Sequence, residues 1–216
     1  MKNYEYVFFD FDGTLVDTTN GTKLSALYAL KQFGIDESSD IELGRKFSGI
    51  ILKDKFQEYG LTEQEALKAV DFYREYQSKY TITCNEIYEG IEDVLKTLKN
   101  NGKKLIIVTG KLEETSKKIL EYMDILKYFD LVAGATSDST RIKKYDIMEY
   151  AIKSFSNIDF NKCIMIGDRP TDVKAGIENH MDTIGVLYGM GDKDSFNSLD
   201  VTYFIEKPKE ILNIIK

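Results

Sequence analysis

Short apolar runs alternate with helical segments along most of this 216-residue chain, and this alternation restricts the folds open to it. Apolar side chains recur with helical spacing over 112–123 and 145–155, and each segment lies between two runs that read as buried strands. Such alternation is typical of a parallel sheet covered by helices on both faces. The strand-like runs are YEYVFF, KKLIIVT, FDLVAG, KCIMIG, DTIGVLY and VTYFIE. We therefore predict an α/β fold with a doubly wound, Rossmann-like parallel sheet.

The stretch 17–85 departs from this alternation, because it has helical periodicity and no strand-like run. Thr62 and Glu65 have the spacing of a capping box, which predicts that a helix begins there. A helical block of this length, directly after the first strand, does not read as a simple crossover helix. We therefore predict an inserted all-helical cap domain over 17–85, on a core formed by 1–16 and 86–216.

Composition and charge disfavour several classes of function. The 29 basic and 36 acidic residues give a net charge of −7, whereas nucleic-acid binding needs a basic surface. No apolar run approaches membrane-spanning length, and the N-terminal residues do not resemble a signal peptide. Cys84 and Cys163 have no metal-binding neighbourhood and are expected to be reduced thiols. These features predict a soluble cytoplasmic protein without a nucleic-acid or membrane partner.

Two acidic residues directly follow the first predicted strand, in the segment VFFDFDGT. Asp10 and Asp12 are two positions apart, so they point to the same side of an extended chain. Two carboxylates brought together beside an apolar strand need a metal ion, a shared proton or a cationic partner. The pair therefore predicts a functional site at the end of this strand.

Further polar groups fall at the ends of other predicted strands, where ligands bind in parallel α/β sheets. Each is ordinary by itself, in a turn, a helix cap or a solvated surface, so the prediction depends on their joint placement. Carboxylates suit Mg²⁺, and a hydroxyl, a backbone amide and a lysine suit phosphoryl oxygens. One carboxylate could act as a nucleophile while another transfers the proton. The groups are Thr109 and Gly110 in IIVTGK, Lys143 and Lys144 in STRIKKYD, and Asp168 and Asp172 in IMIGDRPTD.

The segments DFDGT, VTGK, STRIKKYDIM and GDRPTD resemble the four motifs of the haloacid dehalogenase-like hydrolase superfamily. The segments YEGIEDVLKTLKNNGKKLIIVTGK and DTIGVLYGMG are similar to its phosphoglycolate-phosphatase-like branch, which carries a helical cap after the first motif. The resemblance implies that Asp10 is the nucleophile, that Asp12 is the general acid and base, and that Thr109 holds the phosphoryl group. It also implies a Mg²⁺ site formed by Asp10, Asp12 through its backbone carbonyl, Asp168 and Asp172.

The motif lysine is either Lys143 or Lys144, and helical periodicity does not decide between them. The similarity of RIKKYDIM to the family pattern favours Lys144, which would balance the clustered carboxylates and neutralise the transferred phosphate. Gly110 is expected to bind the substrate through its backbone N–H. Arg45 in the cap is a candidate partner for a carboxylate or second phosphate of the substrate, although a solvated helix end is the more ordinary role.

The resemblance implies a Mg²⁺-dependent phosphatase that hydrolyses a small phosphomonoester through an aspartyl-phosphate. Phosphoglycolate and nucleoside monophosphates are the expected substrates, with inorganic pyrophosphate as a third. Two alternatives stay open: a sugar phosphomutase of the same superfamily, and a non-catalytic phospho-aspartate or binding protein on this fold. Dehalogenation is disfavoured, because the dehalogenases of the superfamily lack an acid at the position of Asp12. The expected partner is a small phosphorylated metabolite, and the expected assembly is a monomer or homodimer.

Overall fold

The computed structural model describes residues 2–216, and all six strand-like runs of the sequence contain strands. Within this range the strands are β1 (Tyr6–Phe9), β2 (Val16–Asp17), β3 (Glu86–Ile87), β4 (Lys104–Leu112), β5 (Leu131–Ala135), β6 (Cys163–Gly167), β7 (Asp182–Val186) and β8 (Tyr203–Ile205). The helices are α1 (Thr19–Lys31), α2 (Leu43–Lys46), α3 (Leu52–Glu58), α4 (Glu63–Tyr80), α5 (Ile91–Asn100), α6 (Glu113–Tyr122), α7 (Lys144–Lys153), α8 (Pro170–Glu178) and α9 (Ile211–Ile214).

Six strands form one parallel sheet in the order β5-β4-β1-β6-β7-β8. In the central strand β1, Phe9 lies opposite Ile107 of β4 and Ile166 of β6. The chain proceeds outward from β1 to β4 and β5, then crosses to β6 and continues outward on the other side. The switch point of this doubly wound sheet is therefore β1, and a ligand crevice is expected at its carboxyl end. The predicted fold class is confirmed.

The strands of this sheet are buried on both faces. Phe8, Val108 and Met165 share an apolar cluster with residues of α7 and α8. The alternate residues point to the opposite face and are equally buried, as Ile107 and Ile166 illustrate. Burial on both faces explains why these strands read as continuous apolar runs in the sequence.

Strand β4 extends beyond the end predicted for it. The sequence predicts that the strand ends at Thr109, but it continues to Leu112 with a shift in register against β5 between these two residues. We call this break in the pairing the β4 bulge; between these pairs β4 advances three residues while β5 advances one, which redirects the side chains of β4. Helix α6 consequently begins at Glu113 rather than at the predicted residue 112.

Residues Thr18–Glu86 form a compact unit of their own, separate from the unit that holds the six-stranded sheet. Each junction lies one residue beyond the boundary expected from the sequence. The unit is predominantly helical, and its helices α1 to α4 enclose an apolar cluster that includes Leu30, Phe47 and Phe56.

The capping box predicted at the start of α4 is confirmed. Thr62 is the N-cap residue, and its backbone N–H donates to Glu65 Oε2 at 2.9 Å. The Glu65 N–H donates in return to Thr62 Oγ1 at 3.4 Å. Two backbone N–H groups at the start of the helix are thereby hydrogen-bonded to side chains.

Two features concern the chain as a whole. No helix within residues 2–216 combines the length and the apolar character needed to cross a bilayer. Cys84 and Cys163 are both free thiols, and Cys163 is buried at the start of β6.

Candidate active site

Asp10 lies at the switch point of the sheet, one residue beyond β1. Its N–H donates to the carbonyl oxygen of Ile166 in β6 at 2.8 Å, which continues the β1–β6 ladder past the end of β1. The residue is only 5% exposed. The sheet therefore sets the position of this acid, and the carboxylate needs polar partners in the crevice.

Lys144 at the start of α7 supplies a positive charge to this acid. Its Nζ is 2.7 Å from Asp10 Oδ1 and 2.7 Å from Asp172 Oδ1, and it donates to the carbonyl oxygen of Val108 at 2.7 Å. These contacts use all three donor positions of an ammonium group. Lys143 is exposed, at the residue before α7. The structure thus brings Lys144, and not Lys143, to Asp10.

Three buried carboxylates, those of Asp10, Asp168 and Asp172, form a cluster in which one oxygen from each lies within 4.8 Å of the others. Asp168 directly follows β6, and Asp172 lies in the first turn of α8, where it accepts a hydrogen bond from the Arg169 N–H at 3.0 Å. Within residues 2–216 this is the set of ligating side chains grouped closely enough to hold a metal ion. The carboxylate of Asp12 does not belong to it.

The cluster has a deficit of positive charge. Burial and the Asp172 carboxylate raise the pKa of Asp10 well above its ordinary value, although Lys144 opposes the rise. Burial and Asp172 also raise the pKa of Asp168 to about 6. Burial would lower the pKa of Lys144, but Asp10 and Asp172 together raise it. All three directions favour added positive charge, so a hard divalent cation such as Mg²⁺ fits this set of oxygen donors.

Asp12 is paired with a lysine that the sequence analysis did not select. Lys111 Nζ lies 3.1 Å from Asp12 Oδ1, and the lysine side chain is only 5% exposed. Lys111 follows Thr109 by two residues and lies within the β4 bulge, which redirects side chains at this point. Its place in the TGK segment was the one available indication, and alternation along a regular strand does not predict the contact.

Thr109 and Gly110 lie at the same bulge. Thr109 is buried, and its Oγ1 accepts a hydrogen bond from the Lys111 N–H at 3.1 Å. Gly110 is exposed. The chain therefore places one hydroxyl and one accessible backbone amide beside each other at the end of the regular part of β4.

Gly13 allows the acidic loop to lie directly against Asp168. Its φ is +83°, and a Cβ at this position would overlap the Asp168 carboxylate. Thr14 Oγ1 follows, 3.5 Å from Asp168 Oδ1. Glycine is the residue that adopts this backbone conformation and also permits so close an approach. The DFDGT loop therefore packs directly against Asp168.

Arg45 belongs to the helical unit. It lies on α2 with its side chain 56% exposed, and its Nε is 3.8 Å from Glu42 Oε2. Its part in substrate binding stays a prediction.

Comparison with known proteins identifies the family. The model of the haloacid dehalogenase-like hydrolases matches residues 7–186. A 5'-nucleotidase of Pseudomonas aeruginosa is 30% identical over 201 residues, which cover 93% of this chain and 90% of the relative. A phosphoglycolate phosphatase of Aquifex aeolicus is 27% identical over 218 residues, covering 97% and 95%. The crystal structure of a predicted phosphatase from Clostridium acetobutylicum has a TM-score of 0.90 at 37% identity, covering 98% and 99%.

One relative is named as a kinase rather than as a phosphatase or nucleotidase. Tyrosine-protein kinase PtkA of Mycobacterium tuberculosis is 30% identical over 198 residues, which cover 92% of this chain and 67% of PtkA. Similarity at this level therefore includes proteins named for phosphoryl transfer to protein as well as for phosphate hydrolysis. The family itself is shown by a match that spans most of the chain, which confirms the family and the enzyme class predicted from the sequence. This chain belongs to the haloacid dehalogenase-like hydrolase family, in its phosphoglycolate-phosphatase-like branch.

Proposed function

We propose that the protein is a Mg²⁺-dependent phosphatase that hydrolyses a small phosphoric monoester through an aspartyl-phosphate formed on Asp10. The observation that supports this most directly is the arrangement of Asp10 at the switch point, with Lys144 2.7 Å away and two further carboxylates in the same cluster. A buried carboxylate held between a cation and a metal-binding set is suited to attack phosphorus, because the surrounding positive charge stabilises the phosphoryl oxygens.

Asp10, Asp168 and Asp172 would hold the Mg²⁺, each with one oxygen, together with the backbone carbonyl of Asp12. The bound ion would neutralise charge on the phosphoryl oxygens as the bonds to phosphorus change. Lys144 contributes fixed positive charge on the side of α7.

In the first half of the reaction, the Asp10 carboxylate attacks phosphorus and the bond between phosphorus and the leaving oxygen breaks. Asp12 donates a proton to that oxygen, so the product leaves as an alcohol rather than an alkoxide. Lys144 and the Thr109 hydroxyl stabilise the charge on the phosphoryl group during transfer.

In the second half, a water molecule attacks the phosphorus of the aspartyl-phosphate. Asp12, now ionised, accepts a proton from that water, and the bond between Asp10 and phosphorus breaks. Inorganic phosphate is released and both carboxylates return to their initial state.

The names of the relatives guide the choice of substrate. We propose nucleoside monophosphates and phosphoglycolate as the first substrates to examine, because a 5'-nucleotidase and a phosphoglycolate phosphatase align over more than nine tenths of this chain. Gly110 would bind a phosphoryl oxygen through its N–H. Arg45 stays a candidate partner for a carboxylate or second phosphate of the substrate.

The test is phosphate release from nucleoside monophosphates, phosphoglycolate, pyrophosphate and sugar phosphates, with Mg²⁺ or with EDTA. Asp10→Asn removes the nucleophile at nearly constant shape, and Asp124→Asn makes the same change at a side chain that is 84% exposed. We expect Mg²⁺-dependent release by the parent and by Asp124→Asn, none by Asp10→Asn, and a phosphorylated Asp10 peptide after acid quenching of the parent.

Other outcomes point to other functions. Interconversion of sugar phosphates without phosphate release would indicate a phosphomutase. Transfer of phosphate from ATP to protein tyrosine would indicate an activity like that named for PtkA. A folded parent that is inactive in all three assays would contradict the proposal and favour a non-catalytic binding role.

A further inference from the structure

A short segment directly after β7 contacts the DFDGT loop, although the two are far apart in the sequence. The segment consists of residues 187–191, with the sequence LYGMG. The Tyr188 hydroxyl donates to the carbonyl oxygen of Thr14 at 2.8 Å. Thr14 belongs to the DFDGT loop that carries Asp10 and Asp12. A residue 174 positions away in the sequence is therefore bonded to the main chain of that loop.

The same segment also contacts Asp168. The Met190 N–H donates to Asp168 Oδ2 at 2.8 Å. Between these two hydrogen bonds lies Gly189, where a Cβ would overlap the Gly13 carbonyl oxygen and lie 2.7 Å from Asp168 Cβ. Residues 187–191 thus hydrogen-bond to both parts of the carboxylate site, and Gly189 between these bonds leaves no room for a side chain.

The ring of Tyr188 is itself held in place. It packs edge-to-face against Tyr88, with 5.1 Å between the ring centroids and an interplanar angle of 64°. The Tyr88 N–H donates to the carbonyl oxygen of Leu15 at 3.2 Å, so the two tyrosines bond to adjacent carbonyl groups, those of Thr14 and Leu15. The Tyr188 phenol is a donor at neutral pH, and burial raises its pKa further.

We propose that Tyr188 is a positioning residue for the metal site, and that residues 187–191 fix the distance between the DFDGT loop and Asp168. This inference rests on the proposed function, because it takes Asp10, Asp168 and Asp172 as the ligands of Mg²⁺. Ligands on separate strand ends bind a small ion tightly only when their separation is fixed in advance.

Loss of the Tyr188 hydroxyl should affect the binding of Mg²⁺ and not the binding of substrate. Thr109 and Lys144 lie on β4 and α7, where Thr109 accepts a hydrogen bond from Lys111 and Lys144 donates to Asp10 and Val108. Loss of the Tyr188 hydroxyl should therefore weaken Mg²⁺ binding about tenfold, as for other groups that orient metal ligands. The KM for substrate at saturating Mg²⁺ should be unchanged.

The experiment compares Tyr188→Phe with Tyr122→Phe, the same change at a tyrosine that is 59% exposed on α6. Mg²⁺ binding is measured by calorimetry without substrate, and circular dichroism checks folding. We expect about tenfold weaker binding for Tyr188→Phe and parental affinity for Tyr122→Phe. An affinity of Tyr188→Phe within about twofold of the parent would overturn the inference.

Gly189→Ala provides a second variant that leaves the tyrosine intact. The added Cβ would separate residues 187–191 from Gly13, so it should also weaken Mg²⁺ binding. Parental affinity in this variant would likewise overturn the inference. If the parent itself binds no Mg²⁺, the proposed function and this inference both fail. If the parent binds Mg²⁺ and both variants bind it with the parental affinity, only the inference fails.

Discussion

The two acids that follow β1 form ion pairs with different lysines. Asp10 contacts Lys144 and lies in the carboxylate cluster, whereas Asp12 contacts Lys111 outside it. In the proposed mechanism, the carboxylate that attacks phosphorus and the carboxylate that exchanges a proton need different surroundings. The separate lysine partners provide them, although the two acids are only two residues apart.

The first prediction concerns the choice between the two adjacent lysines. Lys144→Met removes the cation from three buried carboxylates, so kcat should fall by at least about 100-fold. In EDTA the free energy of unfolding should fall by about 3–5 kcal/mol, because the removed partner leaves buried charge uncompensated. Lys143→Met is the matched control and should leave both quantities unchanged. Equal losses in the two variants, measured by steady-state kinetics and urea unfolding, would contradict the assignment.

The second prediction concerns Lys111 and depends on the leaving group. Lys111→Met should displace the Asp12 carboxylate, so proton transfer to the leaving oxygen should become less efficient. Hydrolysis of an alkyl phosphate should slow by about 100-fold, whereas an aryl phosphate whose leaving group needs no proton should be much less affected.

The comparison uses kcat/KM values for both substrate types. Lys118→Met on α6 is the control, because that lysine is exposed. Equal slowing of alkyl and aryl phosphates by Lys111→Met would instead indicate that Lys111 binds the phosphate itself.

Which of these residues a sequence can reveal depends on how local their contacts are. Asp10, Asp168 and Asp172 stand beside strands whose apolar character is evident, so their convergence could be predicted. The pairing of Lys111 with Asp12 depends on a bulge, and the Tyr188 hydrogen bond joins residues far apart in the chain. Such contacts arise from tertiary structure, and local sequence patterns do not encode them.

Helices and strands, too, could be predicted where local sequence patterns determine them. The six strands of the sheet were predictable because helices cover both faces, which requires nearly every strand residue to be apolar. The end of β4 was not predictable, because a glycine and a charged residue, Gly110 and Lys111, follow the apolar run that ends at Thr109. They continue the strand only because β5 provides partners beyond the bulge, where Leu112 lies opposite Ala135.

The third prediction concerns the start of α4 in the helical unit. Thr62→Ala removes the N-cap side chain of a helix of 18 residues, and the free energy of unfolding should fall by about 1 kcal/mol. Thr62→Ser keeps the hydroxyl and should retain most of the stability. Urea unfolding followed by circular dichroism measures both variants. A loss of similar size in Thr62→Ser would show that the methyl group, rather than the cap, is responsible.

At the scale of the whole molecule, the net charge disfavours the approach of an anionic substrate, whereas two buried lysines of the site favour its binding at short range. The chain carries a net charge of −7, which repels anions at long range. Within the crevice, however, Lys111 and Lys144 are both largely buried, where charge is screened less by water and salt. Substrate recognition should therefore depend on short-range contacts inside the site, and its salt dependence should be weak.

The fourth prediction relates the carboxylate cluster to the stability of the whole protein. Burial and Asp172 raise the pKa of Asp168 to about 6 from an ordinary value of 3.8. Between these values the folded protein keeps a proton that the unfolded chain has released. The free energy of unfolding should therefore fall as pH rises from about 4 to about 6, by at most about 3 kcal/mol for this group. Asp168→Asn has no such proton and should lack this part of the pH dependence.

Urea unfolding of the parent and Asp168→Asn in EDTA, from about pH 4 to about pH 7, measures the difference between them. The stability of the variant relative to the parent should rise over that interval. Excess Mg²⁺ should stabilise the folded parent at pH 7, by about 2.7 kcal/mol at a concentration 100 times the Kd, because the ion binds the ionised carboxylates only in the folded state. Parallel pH curves in EDTA would show that Asp168 does not titrate in this range, and the charge deficit inferred for the cluster would then have to reside on Asp10.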